Sequence, residues 1–374
     1  MRVCYFGTYD PAFARNGLLL AGLRQAGVEV VECRVPLWVD TTDKLAAARG
    51  AAPSVAVRLA AAWRELARCY RAVGSHDAVL VGYAGQLDVL LAHCLMRGAD
   101  RPLVLDAFLS VAETLEDRGL ARAGSVRWRA ARLLDRLASR RADRVLVDTR
   151  AHAAYFARQL GVPSERLAVV PMGAWPRQPR PLPARPTFEV LYFGAYIPLH
   201  GLDYVLGAAR RLTPLADVRF TLVGDGQDFA RVRDRAARLG LGNVRFVRAW
   251  LSEDALVAQY VNAADVCLGA FGASPKAGRV LPAKVFLALA AGRPVVTRDS
   301  PAAREALRHG ETALLCAPAS AEALAAALCR LRGDPALRER LAEAGPALVA
   351  RHYTPEPLGR RLRSILEATA PGHR

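Results

Sequence analysis

Residues 264–305 read ADVCLGAFGASPKAGRVLPAKVFLALAAGRPVVTRDSPAARE, and this stretch decides the fold class. It predicts a buried strand at 265–268, a glycine-rich loop, a short apolar helix at 284–291 and a second strand at 294–297. The loop and the start of the helix carry three cationic side chains, Lys276, Arg279 and Lys284. Cations that gather with a helix N-terminus where a strand ends are typical of phosphate sites in α/β proteins. The stretch therefore predicts a nucleotide- or phosphate-binding enzyme.

The composition is that of an ordinary globular protein. The chain has 374 residues, 52% hydrophobic and 23% charged, and this length suits two α/β domains. No apolar run reaches the roughly 18 residues of a membrane span, and the first residues lack the layout of a signal peptide. The seven cysteines form no Cys-x-x-Cys pair. We therefore expect reduced thiols in a cytoplasmic protein, without disulfides or a zinc site.

The formal net charge of +17 does not by itself indicate nucleic-acid binding. Only three of the 52 basic residues are lysines, and the arginines are spread over the whole chain. Because there is no recognition motif and no basic stripe interleaved with aromatic residues, we expect no nucleic-acid partner. The positive field favours anionic partners such as phosphates and acidic lipid surfaces.

Two similar halves follow one another along the chain, opening with RVCYFG (2–7) and EVLYFG (189–194). In each half short apolar runs alternate with helical stretches, which is typical of parallel βαβ units. The predicted strands are 2–6, 28–33, 78–82, 102–106, 144–147 and 167–170, then 189–193, 218–223, 244–247, 265–268, 294–297 and 313–315. The prolines of 176–186 suit a stiff linker. The pattern predicts two doubly wound parallel-sheet domains with a cleft between them, and an amphipathic helix at 354–368.

Several stretches match one family in order and spacing. In the second half these are YFGAYIPLHGLDYVLGAA (192–209), FTLVGDGQDFARVRDRAARLGL (220–241), PAKVFLALAAGRPVVTRDSPAARE (282–305), GETALLCAP (310–318) and DPALRERLAEAG (334–345). This half resembles the donor-binding domain of retaining GT4-type glycosyltransferases with the GT-B fold. The first half is similar, less strongly, to their acceptor domain, at FGTYDPAFARN (6–16), DRLASRRADRVLVDT (135–149) and VVPMGA (169–174).

The resemblance implies the GT-B fold, with two Rossmann-like domains facing a cleft. The implied ranges are an acceptor-binding domain at 1–176, a linker at 177–187, a donor-binding domain at 188–350 and a C-terminal helix and tail at 351–374. The implied activity is transfer of a sugar from a nucleoside-diphosphate sugar to a hydroxyl of a glycan or lipid-linked acceptor, with retention of configuration. Such enzymes build cell-surface polysaccharide, glycolipid or glycoconjugate. No metal or other cofactor is expected.

The site residues follow from the matched positions. Lys276 and Lys284 are expected to stabilise the departing diphosphate. In the first half, Asp106 is expected to contact the transferred sugar or the acceptor hydroxyl. The expected donor-binding residues are Gly7, Asn16, Gly194, His200, Gly201, Gly224, Arg279 and Glu305. Four of these residues also have a structural interpretation: Lys284 as a solvent-facing helix start, Lys276 as a mobile loop lysine, Asp106 as a helix N-cap and Glu305 as a helix-dipole partner.

One departure from the family pattern opens an alternative. Many members carry two acidic residues eight positions apart around the helix at 284–291, and here those positions are Arg279 and Leu287. The alternative is a catalytically degenerate GT-B protein that binds a glycan or a partner.

The segment Arg118–Arg141 carries eight arginines with leucines between them. Such a basic amphipathic helix fits peripheral contact with an anionic membrane, at its inner face for a cytoplasmic enzyme. We favour the other interpretation, in which its apolar face packs on the sheet of its own domain.

Overall fold

The computed structural model describes residues 1–37 and 52–369 of the chain. Within these residues lie two six-stranded parallel sheets, one in each of two compact units. The first unit comprises residues 1–171 and 354–374, and the second comprises residues 172–353. All twelve predicted strands are present, and their ends lie within two residues of the predicted ends. The predicted α/β class is confirmed.

The first unit is a sheet with helices on both faces. Its strands are β1 (Arg2–Gly7), β2 (Glu29–Arg34), β3 (Ala78–Val81), β4 (Leu103–Phe108), β5 (Arg144–Val147) and β6 (Leu167–Val169), in the order β2-β1-β3-β4-β5-β6. Its helices before residue 172 are α1 (Ala14–Gln25), α2 (Ala52–Ala72), α3 (Asp88–Leu95), α4 (Val111–Asp117), α5 (Val126–Arg141) and α6 (Arg150–Tyr155), the last continuing as a π-helix over Phe156–Leu160.

The second unit repeats this plan with a different strand order. Its strands are β7 (Phe188–Phe193), β8 (Val218–Val223), β9 (Val244–Val247), β10 (Val266–Leu268), β11 (Val295–Arg298) and β12 (Leu314–Cys316), in the order β12-β11-β10-β7-β8-β9. Its helices are α7 (Leu202–Arg211), α8 (Phe229–Arg238), α9 (Glu253–Gln259), α10 (Ala283–Ala290), α11 (Pro301–Ala306), α12 (Ala321–Gly333) and α13 (Pro335–His352). The strand order reverses between β7 and β10, and the carboxyl ends of strands at such a switch point are where doubly wound sheets bind ligands.

Apolar residues of the first sheet fill two cores, one on either face of the sheet. In β1, Cys4 and Phe6 belong to one buried cluster, whereas Val3 and Tyr5 belong to the other. Successive strand side chains point to opposite faces, and both faces are covered here. This is why the strands read as continuous apolar runs in the sequence rather than as alternating ones.

The last helix, α14 (Pro355–Glu367), returns to the first unit after the chain has built the second. It crosses α1 at two glycines, Gly22 and Gly359, and a Cβ on Gly359 would overlap the backbone of Gly22. Leu358, Leu362 and Leu366 complete the core on that face of the first sheet. The apolar face predicted for this helix is thus buried.

The favoured interpretation of α5, in which its apolar face packs on the sheet of its own unit, holds only in part, since Trp128 and Leu134 are half-buried. The helix is present and begins at the N-cap Ser125, whose side chain accepts a hydrogen bond from Trp128 N. Its buried residues are small or polar: Ala131, Asp135, Ala138 and Ser139. In contrast, Val126, Leu133 and Leu137 are exposed.

Candidate functional site

Two glycines shape the switch point of the second sheet. Gly194 follows β7 and has φ +122, and Gly224 follows β8 and has φ +135, a region that side chains disfavour. A Cβ on Gly224 would overlap the carbonyl oxygen of Gly194. The backbone N–H of Gly194 donates to Val223 O at 3.0 Å. Only glycine therefore allows these two strand ends to approach so closely.

Lys284 lies beside this turn without a hydrogen-bond partner. It is in the first turn of α10 and is 8% exposed, and its ammonium is buried and makes no hydrogen bond in the structure. A Cβ added to Gly194 would lie 3.2 Å from Lys284 Nζ. Burial lowers the pKa of Lys284 well below the usual range of a lysine. A buried cation left unsatisfied is costly, so this position indicates a site for an anion.

Tyr192 supports both Lys284 and the turn that follows β7. The centroid of its ring is 3.9 Å from Lys284 Nζ, a cation–π contact. Its hydroxyl donates to Ala195 O at 2.6 Å and lies 2.8 Å from His200 Nδ1. The sequence analysis did not identify Tyr192 as a functional residue. The available signal was its position two residues before Gly194, the glycine that follows β7. Residues two apart lie on the same face of a strand, so Tyr192 is on the face of the Gly194 turn.

His200 is buried and holds the turn rather than projecting from it. Its Nδ1 lies 2.6 Å from Ala195 O. A carbonyl oxygen only accepts, so Nδ1 carries a hydrogen and donates it. His200 is 6% exposed.

Backbone contacts join this turn to the loop that carries the other predicted cations. Phe271 N donates to His200 O, and Gly272 N donates to Leu199 O, each at 3.1 Å. Gly201 has φ +65, and a Cβ there would lie 2.6 Å from Gly272 N. The loop after β10 is therefore held against the turn after β7, which brings predicted residues from both to the switch point.

The remaining predicted residues of the second unit lie on this loop and beyond it. Lys276 begins a 3₁₀ turn, Lys276–Gly278, and is 5% exposed. Arg279 follows it and is half-buried. Glu305 is also half-buried, on α11, which contacts the 3₁₀ turn. Because Lys284 is buried, its solvent-facing interpretation is wrong, and the burial of Lys276 does not fit a mobile loop lysine.

Asp106 of the first unit forms a buried salt bridge with Arg15. Arg15 Nε lies 2.7 Å from Asp106 Oδ2, Arg15 Nη2 lies 2.6 Å from Oδ1, and both side chains are inaccessible to solvent. Burial alone would lower the pKa of Arg15, but the adjacent carboxylate raises it. The predicted contact of Asp106 with a sugar or an acceptor does not fit this geometry, and neither does the N-cap alternative. The residue ties β4 to α1.

Asn16 and Gly7 are also engaged within the first unit. The Asn16 amide accepts from Tyr5 Oη and Tyr83 N and donates to Asp10 O and Tyr83 O, at 2.6 to 3.1 Å. A Cβ on Gly7 would lie 3.0 Å from a carboxylate oxygen of Asp88. The predicted donor contact of the Asn16 side chain does not fit, since the side chain is fully buried.

A buried histidine between two carboxylates was missed by the sequence analysis. His152 Nδ1 lies 2.8 Å from Asp148 Oδ1, and Nε2 lies 3.1 Å from Glu113 Oε2. Burial alone would lower the pKa of His152, but the hydrogen bonds to Asp148 and Glu113 raise it to about 9. Asp148 lies directly before the N-cap Thr149 of α6 and four residues before His152, and this spacing was the available signal.

Two absences hold for residues 1–37 and 52–369. No group of three or more His, Cys, Asp or Glu residues there is arranged to hold a metal ion. No helix of this part of the chain is long and apolar enough to cross a membrane. The metal-independent mechanism stays a prediction.

Comparison with known families accounts for both units. The family described as "Glycosyl transferases group 1" matches residues 187–334, and a "Glycosyl transferase 4-like domain" matches residues 3–173. The chain belongs to the GT4-type glycosyltransferases. The resemblance found in the sequence is confirmed, and the two matches correspond to the two compact units.

Curated relatives of this GT4-type chain include two mannosyltransferases. An MMP alpha-(1->4)-mannosyltransferase of Mycolicibacterium hassiacum is 28% identical over 59% of the chain and 52% of its own length. A phosphatidyl-myo-inositol mannosyltransferase of Mycobacterium leprae is 34% identical over 44% of the chain and 42% of its own length. The chain thus spans about half the length of these relatives.

Solved structures show the fold of the GT4-type chain over its whole length. A sucrose-phosphate synthase from Thermosynechococcus elongatus has a TM-score of 0.75 at 18% identity and covers 98% of both chains. Anabaena HepE in complex with UDP has a TM-score of 0.68 at 16% identity and covers 98% of this chain and 99% of its own. The GT-B fold predicted from the sequence is confirmed.

Proposed function

We propose that this protein transfers a sugar from a nucleoside-diphosphate sugar to a hydroxyl of a glycan or lipid-linked acceptor. Its role would be in the biosynthesis of a cell-surface polysaccharide, glycolipid or glycoconjugate. The observation that carries the proposal is the buried Lys284 ammonium, which has no hydrogen-bond partner and lies beside the glycine turn of Gly194. A diphosphate in the donor site would supply the anion that this cation lacks.

The electrostatics of the switch point suit a departing diphosphate. Lys284 lies in the first turn of α10, where the helix dipole favours negative charge. Lys276 and Arg279 lie on the loop that is hydrogen-bonded to the His200–Gly201 turn. Cations preorganised in this way stabilise the charge that develops as the leaving group departs.

The relatives support the substrate class. Two curated relatives are named mannosyltransferases, and the HepE structures hold UDP, UDP with glucose, or UDP-glucose. We propose a nucleotide-sugar donor on this basis, and retention of configuration on the basis of family membership. Front-face displacement, in which the leaving diphosphate takes the proton of the acceptor hydroxyl, requires no side-chain base.

The first test measures thermal stability with UDP, GDP, dTDP, CMP, ADP and their sugar conjugates. A ligand at about 100 times its dissociation constant stabilises the folded protein by about 2.7 kcal/mol. We expect one nucleotide to raise the melting temperature and to identify the donor. No rise with any member of the panel would favour the degenerate binding protein, which the residues Arg279 and Leu287 at the acidic-pair positions suggest.

The Lys284→Met variant tests the cation that carries the proposal. We expect the affinity for the diphosphate to fall about tenfold to a hundredfold, because a charge-assisted hydrogen bond contributes about 1.5–3 kcal/mol. The ligand-free variant should melt at a higher temperature than the wild type, because a buried amino group without a hydrogen-bond partner has been removed. Calorimetric titration and thermal melting measure the two effects.

Arg330→Met is the matched control, since it also removes one positive charge and lies exposed near the end of α12. It should change neither quantity. A second readout is proton uptake on binding, measured in buffers of different ionisation enthalpy. Burial lowers the pKa of Lys284, so a bound diphosphate should draw a proton onto it. Equal affinities of Lys284→Met and Arg330→Met would contradict the proposed site.

A further inference from the structure

The helix α5 presents three of its apolar side chains to solvent, whereas Trp128 and Leu134 are half-buried. Val126 is 83% exposed, Leu133 is 56% exposed and Leu137 is 37% exposed. Spacings of seven and four residues place the three on one stripe of the helix. The buried residues Ala131, Asp135, Ala138 and Ser139 occupy the opposite side. Among the described residues, the helix thus packs on its unit mainly through small and polar groups and leaves the stripe of Val126, Leu133 and Leu137 largely exposed.

Arginines border this stripe on both sides. Helical periodicity places Arg129 and Arg140 along one edge and Arg127 and Arg141 along the other, and all four are exposed. The helix has a single acidic residue, Asp135, which accepts hydrogen bonds from Ser110 Oγ and from the backbone N–H groups that begin α4. No carboxylate of α5 therefore offsets the exposed positive charge.

We propose that this apolar stripe with its arginine borders binds the surface of an anionic lipid bilayer. A helix with apolar side chains between rows of cations lies in the plane of the membrane interface. The apolar side chains enter the acyl boundary, while the guanidinium groups contact anionic headgroups, whose attraction increases with each basic residue. The helix axis would then lie parallel to the bilayer.

The charge distribution of α5 argues against two other binding partners, a second copy of the chain and a nucleic acid. A second copy of the chain that packed α5 against α5 would bring like-charged arginine rows together across the interface. A nucleic acid would engage the arginines but would leave the apolar stripe facing phosphates. An anionic bilayer has negative headgroups directly above an apolar layer. It can therefore contact the arginines and the apolar stripe of α5 at the same time.

The inference goes beyond the proposed function, since α5 belongs to the first unit and the donor site to the second. It is tested by sedimentation of the full chain with phosphatidylcholine vesicles, with and without phosphatidylglycerol. The test variant is Leu133→Ser/Leu137→Ser. The matched control is Val57→Ser, which removes a valine that is 70% exposed on α2.

We expect the wild type and Val57→Ser to bind the anionic vesicles alike. Binding of the double variant should be weaker by about tenfold or more, because two buried leucines are lost from the interface. High salt and pure phosphatidylcholine should each weaken the binding of the wild type. An independent readout is Leu133→Trp, whose fluorescence should shift to the blue with anionic vesicles only.

Equal vesicle binding by the double variant and the wild type would overturn the inference. So would a concentration-dependent dimer that the double variant abolishes, because α5 would then be an interface between copies. Thermal melting with the nucleotide panel, run on the same variants, separates this result from the donor site. If α5 does not bind vesicles, the shift of the melting temperature with nucleotide should still be observed.

Discussion

Lys284 and His152 are two buried basic side chains with opposite surroundings. Lys284 has no hydrogen-bond partner, so burial lowers its pKa. His152 lies between Asp148 and Glu113, whose hydrogen bonds outweigh burial and raise its pKa to about 9. The surroundings of Lys284 cost stability and favour the binding of an anion. Those of His152 stabilise the first unit.

The His152→Gln variant should show a loss of stability that depends on pH. The pKa of the folded protein, about 9, is above the ordinary value of a histidine near 6.5. The stabilisation is therefore fully present below about pH 6.5 and is lost as the pH rises through about 9. We expect the variant to lose about 3 kcal/mol near pH 6 and much less near pH 10, by urea unfolding at both values.

The exposed His352, on the last turn of α13, provides the control. His352→Gln should change the free energy of unfolding by a similar small amount at both pH values. A loss in His152→Gln that is the same at both pH values would show that the ring fills space without carrying charge.

The sequence analysis singled out residues such as Lys276 and Lys284, which a local pattern marks. Lys276 and Lys284 stood out because lysine is rare in this chain and both follow one strand. Asp106 and Asn16 were misjudged because their partners are distant in the sequence: Arg15 lies 91 residues from Asp106, and Tyr83 lies 67 residues from Asn16. No local pattern contains such pairings.

Among the elements, the turns after β7 and β8 depend on each other. Gly194 and Gly224 are in contact across the sheet edge, and each has a positive φ that glycine alone adopts without strain. Their mutual approach sets the space that lies in front of Lys284.

The Gly224→Ala variant should lose stability and donor affinity together. A Cβ there would overlap Gly194 O, and a non-glycine residue at φ +135 is strained. We expect a cost of about 1–3 kcal/mol in unfolding and a weaker nucleotide response, because the turn beside Lys284 must move. Urea unfolding and calorimetric titration measure the two effects.

Gly242→Ala is the control, since nothing lies within 4 Å of the added Cβ. Its free energy of unfolding should stay within about 0.5 kcal/mol of the wild type. If Gly224→Ala unfolds like this control, the strand ends do not depend on each other as described.

For the whole molecule, the sequence predicted twelve strands because each contains a short apolar run, and central strands such as β3 and β4 are buried on both faces. It predicted α14 as an amphipathic helix but not its place in the first unit. That place depends on contacts between the two ends of the chain, such as Arg363 Nη1 with Ala26 O, 337 residues apart. The fold class was therefore readable from local patterns, and the assignment of α14 was not.

The Gly359→Ala variant should loosen the first unit selectively. The added Cβ would overlap the backbone of Gly22, so α14 must separate from α1. We expect faster hydrogen exchange in both helices and an unchanged nucleotide response of the second unit. Hydrogen exchange read by mass spectrometry, peptide by peptide, measures this.

Gly333→Ala, at the end of α12, adds a Cβ with nothing within 4 Å and provides the control. Its exchange pattern should match that of the wild type. Uniformly faster exchange of the second unit in Gly359→Ala would show that the two units do not respond separately.

The return of α14 also orders events during synthesis on the ribosome. Residues 172–353 emerge as one continuous stretch, so the second unit has its whole core as soon as that stretch is free. The first unit emerges earlier but lacks Leu358, Leu362 and Leu366 until α14 has also been made. Until then the apolar face of α1 has no cover and is open to chaperones. The first unit therefore begins to emerge before the second unit and receives its last core residues after it.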